Sequence, residues 1–413
     1  MADTAQKQKS SSSLSLKGAN INFSDYGLLA ALVVVVLLFQ WGTGGKLLNP
    51  ANVNNLIMQN AYVVILAIGM IMVIIAGHID LSVGSGVAMI GGFVALAIMD
   101  WKMPWPLAVL LALILGAILG AWQGYWVAFV GIPGFIVTLA GMLAFRGGAL
   151  IVLTHGTIGG LPEGFIAIGA RWMPNWMGHW LNNRDGLTLV FGLLAVVAMV
   201  GSQLRTRGKL KARGLPRELM AAFVAKNAVV GAAIMYISYI ISGQTIVNNG
   251  KESPSKGMPY ILIILAVLVV AYTFVLARTV FGRHIYAIGG NRFAAIMSGV
   301  KTKWVDFYIF VNMGVLMALA AVVSTARAGG AVADAGNFFE LDAIAACFIG
   351  GTSVYGGVGK ISGAVTGAFL IGVINQGLSI MGIDPAWQKV IKGMVLIAAV
   401  AFDLINRRKA GNA

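Results

Sequence analysis

Long apolar runs constrain this chain more than any other feature it has. About twelve windows of roughly 17–25 residues are dominated by apolar side chains, each long enough as a helix to cross the hydrocarbon of a bilayer. Their approximate limits are 26–42, 60–77, 83–100, 106–130, 135–153, 187–204, 222–242, 259–277, 304–327, 341–357, 361–381 and 387–405. In lipid the backbone must satisfy its own hydrogen bonds, and runs of this length do so as helices. Only 10% of residues are charged, against about 25% in a soluble domain, so the chain cannot coat a water-facing surface. The expected fold is all-α: a polytopic transmembrane helical bundle of about twelve spans. The 54 glycines fit that solvent, because lipid provides no hydrophobic drive between helices and small residues let backbones approach closely.

Basic residues orient the spans, since Lys and Arg of short loops concentrate on the cytoplasmic side. The 205–217 loop carries Arg205, Arg207, Lys209, Lys211, Arg213 and Arg217, and the loop from Arg278 to Lys303 is the second marker. Lys7, Lys9 and Lys17 near one terminus and Arg407, Arg408 and Lys409 near the other complete four basic edges. An even span count puts all four, and both termini, on one side. Residues 1–25 are polar and serine-rich and are read as a disordered tail, 26–407 as the membrane domain and 408–413 as a short tail. No cleavable signal segment precedes the first span. Residues 154–186, with Trp172, Trp176 and Trp180, fall on the outer face as an interfacial anchor or short amphipathic element. The net charge of +15 thus reads as topology and contact with anionic membrane lipid, not as a nucleic-acid surface.

Four strings interrupt the apolar pattern. In "AGHIDLSVGS", Asp80 stands with Ser82 and Ser85 between two spans. A carboxylate at membrane depth costs about 2.5–3.5 kcal/mol on insertion scales and needs a partner, helix-terminal amides or a water-filled path. Capping the following helix accounts for Asp80 without a substrate; a place on a translocation path is the alternative. In "GIPGFIVTLAGMLAFRGG", Arg146 lies inside an apolar segment, and a pair with Glu340 or Asp342 of "FFELDAIAA" is expected to lock two spans. The string "FGRHIYAIGGNRFAAIMSGVKTKW", residues 281–304, suits a short helix after a turn, either a docking element or a basic connecting loop. In "CFIGGTSVYGGVGKISG" the spacing is wrong for a phosphate loop, and a tight glycine-rich turn is expected. Cys347 reads as a small buried residue. The four histidines, at 78, 155, 179 and 284, suggest no metal site.

Together these strings resemble the sugar-permease family of ABC importers that includes the ribose, xylose and galactose systems. The family's Gly-Ile-Asp-Leu-Ser-Val-Gly-Ser is present with His78 in place of the usual small residue, and Pro-Phe-Ile-Val-Thr-Leu is present as "PGFIVTLAG". The cytoplasmic signature reads "YAIGGNRFAAIMSGV" and the last block "ELDAIAACFIGGTSVYGGVG". The likeness runs from about residue 50 to the carboxyl end and leans toward the multiple-monosaccharide subgroup, with the xylose permeases next. It implies that residues 287–299 form the coupling helix that seats in an ATP-binding subunit, with Gly289, Gly290, Asn291, Ala294, Ala295, Ser298 and Gly299 matching the signature. It implies that Asp80, Ser82, Gly84 and Ser85 lie near the path. The shorter members have about ten spans; residues 187–277 here hold an added pair.

The role implied is a non-catalytic transport subunit in a bacterial cytoplasmic (inner) membrane, passing monosaccharides of the xylose, arabinose, galactose or glucose type. Its implied partners are a periplasmic sugar-binding protein, the ATP-binding subunit and a second copy of itself. The chain binds no cofactor; ATP and Mg are used by the partner. A proton-coupled secondary transporter, the main alternative, would want paired intramembrane acids or histidines and two repeat halves, and neither stands out. A membrane enzyme acting on lipid-linked substrates would cluster Asp, His or Lys at one interface, whereas the 14 acidic residues are scattered.

Overall fold

The computed structural model describes residues 23–181, 183–214, 219–245, 247–248, 251–252 and 255–411. Fifteen helices carry the fold: α1 (Phe23–Gly42), α2 (Pro50–Ile75), α3 (Val83–Met99), α4 (Trp105–Tyr125), α5 (Gly134–Val152), α6 (Glu163–Ala170), α7 (Gly186–Ala212), α8 (Met220–Ile241), α9 (Tyr260–Arg278), α10 (Val280–Gly290), α11 (Arg292–Met297), α12 (Thr302–Ala328), α13 (Phe339–Ile349), α14 (Ile361–Ile380) and α15 (Pro385–Gly411). A π-helical turn, Trp126–Val130, continues α4. Among the described residues the strands are two-residue pairs, such as Ile158–Gly159 against Gly330–Ala331. The chain is therefore all-α and multi-pass, as the apolar runs predict.

Eight helices are long and apolar enough to cross a membrane, and Gly27–Gly42 and Val83–Met99 are shorter apolar helices. One expected span is reshaped: between α12 and α14 the chain still returns to the end where Gly357 N donates to the Ile75 carbonyl, but without a full-length helix. The 341–357 run contains only α13, whose 11 residues rise about 16 Å, half the hydrocarbon thickness of about 30 Å. Gly350 and Gly351 end it, and the glycine-rich turn through Gly356 and Gly357, both at positive φ, leads into α14. α15 continues through Gly411, into the segment read as the carboxyl-terminal tail. Residues 1–22 of the expected amino-terminal tail, with Lys7, Lys9 and Lys17, lie outside the described residues, as does Arg217.

α2 is the buried axis, hidden almost from Ile57 to Ile75. α12 packs beside it and against α4. The face of α4 turned inward is Ala108, Ala112, Gly116, Gly120 and Gly124, one small residue per turn. A Cβ at Gly116 would overlap the Gly314 carbonyl, and one at Gly120 the Phe310 carbonyl. At this crossing, backbone touches backbone, the close approach that small residues permit in lipid.

The inner helices form two related units. α2 and α12 are each followed by an irregular segment, 76–82 and 329–338, and then by a shorter helix, α3 and α13. α2 runs toward the end that holds α10 and α11, because the Ile75 carbonyl accepts from Gly357 N there; α12 starts at that end and runs away from it. The neighbours correspond as well: α4 packs on α12 as α14 packs on α2, and α3 on α12 as α13 on α2. This is an inverted repeat, invisible in the letters because the two units share a fold pattern without a shared motif. α7 and α8 form a hairpin at the periphery, joined to α2 through α8, where Asn54 Nδ2 donates to the Ile241 carbonyl at 3.3 Å. They fall in the 187–277 stretch read from the sequence as holding the added pair.

Replacing Gly120 with Leu forces α4 away from α12. The expected outcome is loss of monodisperse protein in detergent extracts, with Gly201→Leu on α7, at a position where a side chain meets open space, extracting normally in the same fluorescence-detected gel filtration.

Candidate coupling surface and central polar site

The loop after α9 becomes two short helices instead of one. Thr279 Oγ1 caps α10 by accepting from Gly282 N at 3.1 Å, and Asn291 Oδ1 caps α11 by accepting from Ala294 N at 2.9 Å. Asn291 is extended between them, so the chain turns sharply and α11 projects from the bundle end. Gly289 explains how α10 sits so close: a Cβ there would overlap the Ile75 carbonyl and crowd Gly357 N. Tyr286 Oη donates to the Gly359 carbonyl at 2.7 Å, pinning the same turn, and burial raises its phenol pKa above the ordinary value. Gly290 and Ala294 are open, Ser298 ends α11 and Gly299 turns away at φ +80°. Ala295, in contrast, is buried. The most exposed apolar side chains of α11 are Phe293, 72% exposed, and Met297, 68% exposed, with Ile296 partly shielded beside them, on a polar end of the molecule. The signature read from sequence marks the backbone that shapes this element; Phe293 and Met297, which it passed over, belong to its outer surface.

The second site lies where α3 and α13 begin. Asp80 Oδ1 accepts from Ser82 N at 2.9 Å and Ser82 Oγ at 2.6 Å, an Asx turn that leads into α3. Ser82 Oγ in turn accepts from Gln123 Nε2 of α4 at 2.6 Å, and Thr138 Oγ1 of α5 donates to the Ile79 carbonyl at 3.1 Å. Ser85 is buried one turn on. Gly84 touches Gly336, and the Glu340 carboxylate lies against Gly84. The two helix N-termini thus oppose each other, and each presents positive dipole ends to the carboxylates gathered there. Asp342 sits level with the middle of α2, where Tyr62 Oη donates to it at 3.0 Å, and Lys392 of α15 pairs with it at 3.1 Å.

The expected bond from Arg146 to Glu340 or Asp342 is not formed directly, although Arg146 stands near enough to Glu340 to attract its carboxylate. The Arg146 guanidinium donates to the carbonyls of Ala333 and Ala335 at 2.7 and 3.0 Å, while Asp342 is engaged by Lys392 and Tyr62. The reason is the break between α12 and α13: an irregular backbone inside the bundle leaves carbonyls without helical partners, and Nη1 of Arg146 on α5 donates to two of them. The spans are still tied together, through main chain. Cys347 is buried, its Sγ 3.5 Å from the Ala67 carbonyl. Among the described residues no group of three or more His, Cys, Asp or Glu could hold a metal.

At the α11 end a third polar cluster was not legible in the sequence. Arg292 Nη2 donates to Asp306 Oδ2 of α12 at 2.6 Å, and His78 Nε2 lies 3.3 Å from Asp306 Oδ1 and 3.2 Å from Arg292 Nη2. Asp306 is an ordinary acid in an apolar run until the fold brings residues 78 and 292 to it.

The sequence profile of the family described as "Branched-chain amino acid transport system / permease component" matches residues 52–207 and 175–400. The xylose transport system permease protein of Escherichia coli K12 is 38% identical over 392 residues, covering 95% of this chain and 94% of the relative. That of Haemophilus influenzae is 37% identical over 394 residues, with 94% and 98% covered. The ribose import permease protein of Bacillus subtilis is 33% identical over 384 residues, with 93% and 92% covered. No solved structure matches the chain.

Arg146→Ala strands the carbonyls of Ala333 and Ala335. The expected loss is about 1–3 kcal/mol of stability, read as an earlier midpoint in a denaturant titration, with Arg146→Lys intermediate because its ammonium can donate to both carbonyls but sits on a shorter, flexible stem; an Arg146→Ala midpoint equal to wild type counts against this assignment.

Proposed function

The chain belongs to the permease family described as the branched-chain amino acid transport system permease component, and from that premise we propose that it is the membrane-spanning permease subunit of an ATP-driven monosaccharide importer. Similarity to xylose and ribose permeases over more than nine-tenths of its length is the observation that carries this reading. The subunit is not an enzyme; hydrolysis of ATP, with Mg, belongs to a separate ATP-binding partner, and sugar arrives on a separate binding protein. Xylose is the first cargo to test.

The roles of the named residues follow. Phe293 and Met297, held out by the Asn291 cap, seat in the ATP-binding subunit, since large exposed apolar side chains on a short rigid helix are typical anchors of an interface. Gly289, Gly290, Asn291, Ala294, Ala295, Ser298 and Gly299 shape that element. Asp80, Ser82, Ser85, Glu340 and Asp342 hold the paired helix starts around which the path opens. A neutral, hydroxyl-rich sugar needs dispersed donors and acceptors there, not a fixed charge. Arg146 is only half-buried on a helix whose neighbouring Leu139 and Leu143 are exposed. A half-exposed arginine at that height does not face lipid, so a second copy of the chain covers this side of α5 and the water-filled path runs between the two. This homodimer sits in the bacterial inner membrane with the α10–α11 end and both termini toward the cytoplasm.

The inverted repeat does not favour the proton-coupled alternative, because such repeats are a feature of membrane transport folds at large and say nothing of the energy source. The test is hydrolysis and uptake by the complex in lipid, with its ATP-binding subunit and binding protein. Sugar-loaded binding protein stimulates hydrolysis by wild type, and Phe293→Asp abolishes co-purification of the ATP-binding subunit while the permease itself stays monodisperse. Uptake by the permease alone under a proton gradient overturns the proposal.

A further inference from the structure

The cluster at His78 joins four parts of the molecule that the proposed function requires to move together. The ring stands on the 76–82 segment. It packs on the first residue of α5, where a Cβ on Gly134 would come within 3.1 Å of Nδ1. Its Nε2 faces α11 through Arg292 and α12 through Asp306. Two residues further along the segment, Asp80 and Ser82 anchor α3 and reach α4 through Gln123. The cluster at α11 and the central site are therefore joined through two residues of main chain.

Nε2 cannot serve both neighbours at once. Carrying a proton, it donates to Asp306 Oδ1; without one, it accepts from Arg292 Nη2. Asp306 is 1% exposed, and Oδ1 has no hydrogen-bond partner among the described residues, His78 Nε2 lying 3.3 Å from it. A buried carboxylate oxygen left without a donor is costly, so Nε2 bonded to Arg292 and Nε2 donating to Asp306 Oδ1 are alternative arrangements of the cluster. Beside the ring lies a cavity of about 560 Å³, lined by Val127, Pro133, Phe135, Arg292, Ile296 and Lys303. It leaves α11 and the start of α5 room to shift relative to one another.

We infer that His78 is a positioning residue for transport, a two-partner latch with Asp306 and Arg292 that passes displacement of α11 to the 76–82 segment and the start of α5. The inference rests on the importer reading and on α11 being its ATPase contact. It gives a use to the histidine at a position where the resembled sugar-permease motif has a small residue. Coupling between two sites requires an element with two arrangements that both sites bias, and the latch is that element.

The experiment is sugar uptake and ATP hydrolysis measured together in proteoliposomes holding the complete complex. The arms are wild type, His78→Leu, His78→Gln and Asp306→Asn, with xylose-loaded binding protein added. The latch predicts that His78→Leu co-purifies with its partners as wild type does but moves about tenfold less sugar per ATP hydrolysed, within the usual range of coupling between sites. His78→Gln, whose amide can both donate to Asp306 and accept from Arg292, recovers most of that ratio. Asp306→Asn lowers it alone, and combined with His78→Leu adds little further loss, since both break one connection. A wild-type ratio in His78→Leu, or equal loss in the Leu and Gln variants, overturns the latch while leaving the importer reading intact. Absence of binding-protein-stimulated hydrolysis in wild type overturns the importer reading itself.

Discussion

Everything in this bundle depends on how closely α4 can approach α12. Lipid surrounds the molecule with a medium as apolar as its own side chains, so burial of Leu or Ile does little to bring two helices together. Contact area and backbone proximity have to do it. A stripe of Ala108, Ala112, Gly116, Gly120 and Gly124 removes side chains from one face of α4, and Gly314 removes one from α12. With those two helices in backbone contact, α2 is held on the other side of α12 and becomes the fully buried axis.

A tightly packed axis makes helix breaks affordable in the middle of the structure. Segments 76–82 and 329–338 leave helical hydrogen bonding where no water competes to satisfy them, and each break is supported by a side chain from a neighbouring helix. Gln123 reaches Ser82, Thr138 reaches the Ile79 carbonyl, and Arg146 reaches the carbonyls of Ala333 and Ala335. The breaks are related by the inverted repeat, so they bring two helix starts face to face at Gly84 and Gly336. A pair of opposed, side-chain-supported breaks has the properties of a hinge region: few bonds hold each, and all those bonds run to helices that belong to the other elements of the same cluster.

The likeness to permeases was legible in four strings, and the helical class in the apolar runs alone. What letters could not supply was which neighbour a given polar residue would find. Arg146 was matched to acids on charge, whereas an unsatisfied main chain was the nearer partner. Ala294 and Ala295 stood together in the signature, yet helix geometry turns one outward and buries the other. The 341–357 run was long and apolar enough to be counted as a span, because hydropathy sums a short helix and a glycine-rich turn as if they were continuous. Phe293, Met297 and Asp306 carried no local signal: an exposed aromatic and a lone acid acquire meaning only from their surroundings.

The sequence by itself determined that this chain spans a membrane as helices, that its basic residues concentrate in a few segments between apolar runs and that its blocks resemble those of sugar permeases, because those properties are set by composition and local order along the chain. The tertiary structure decided the inverted relation between the two inner units, the half-length of α13, the carbonyl partners of Arg146 and the meeting of His78 with Arg292 and Asp306. Each of these joins residues distant in the chain, and such contacts arise from how closely helices pack and which backbone groups are left to be satisfied, quantities that no single stretch of letters contains.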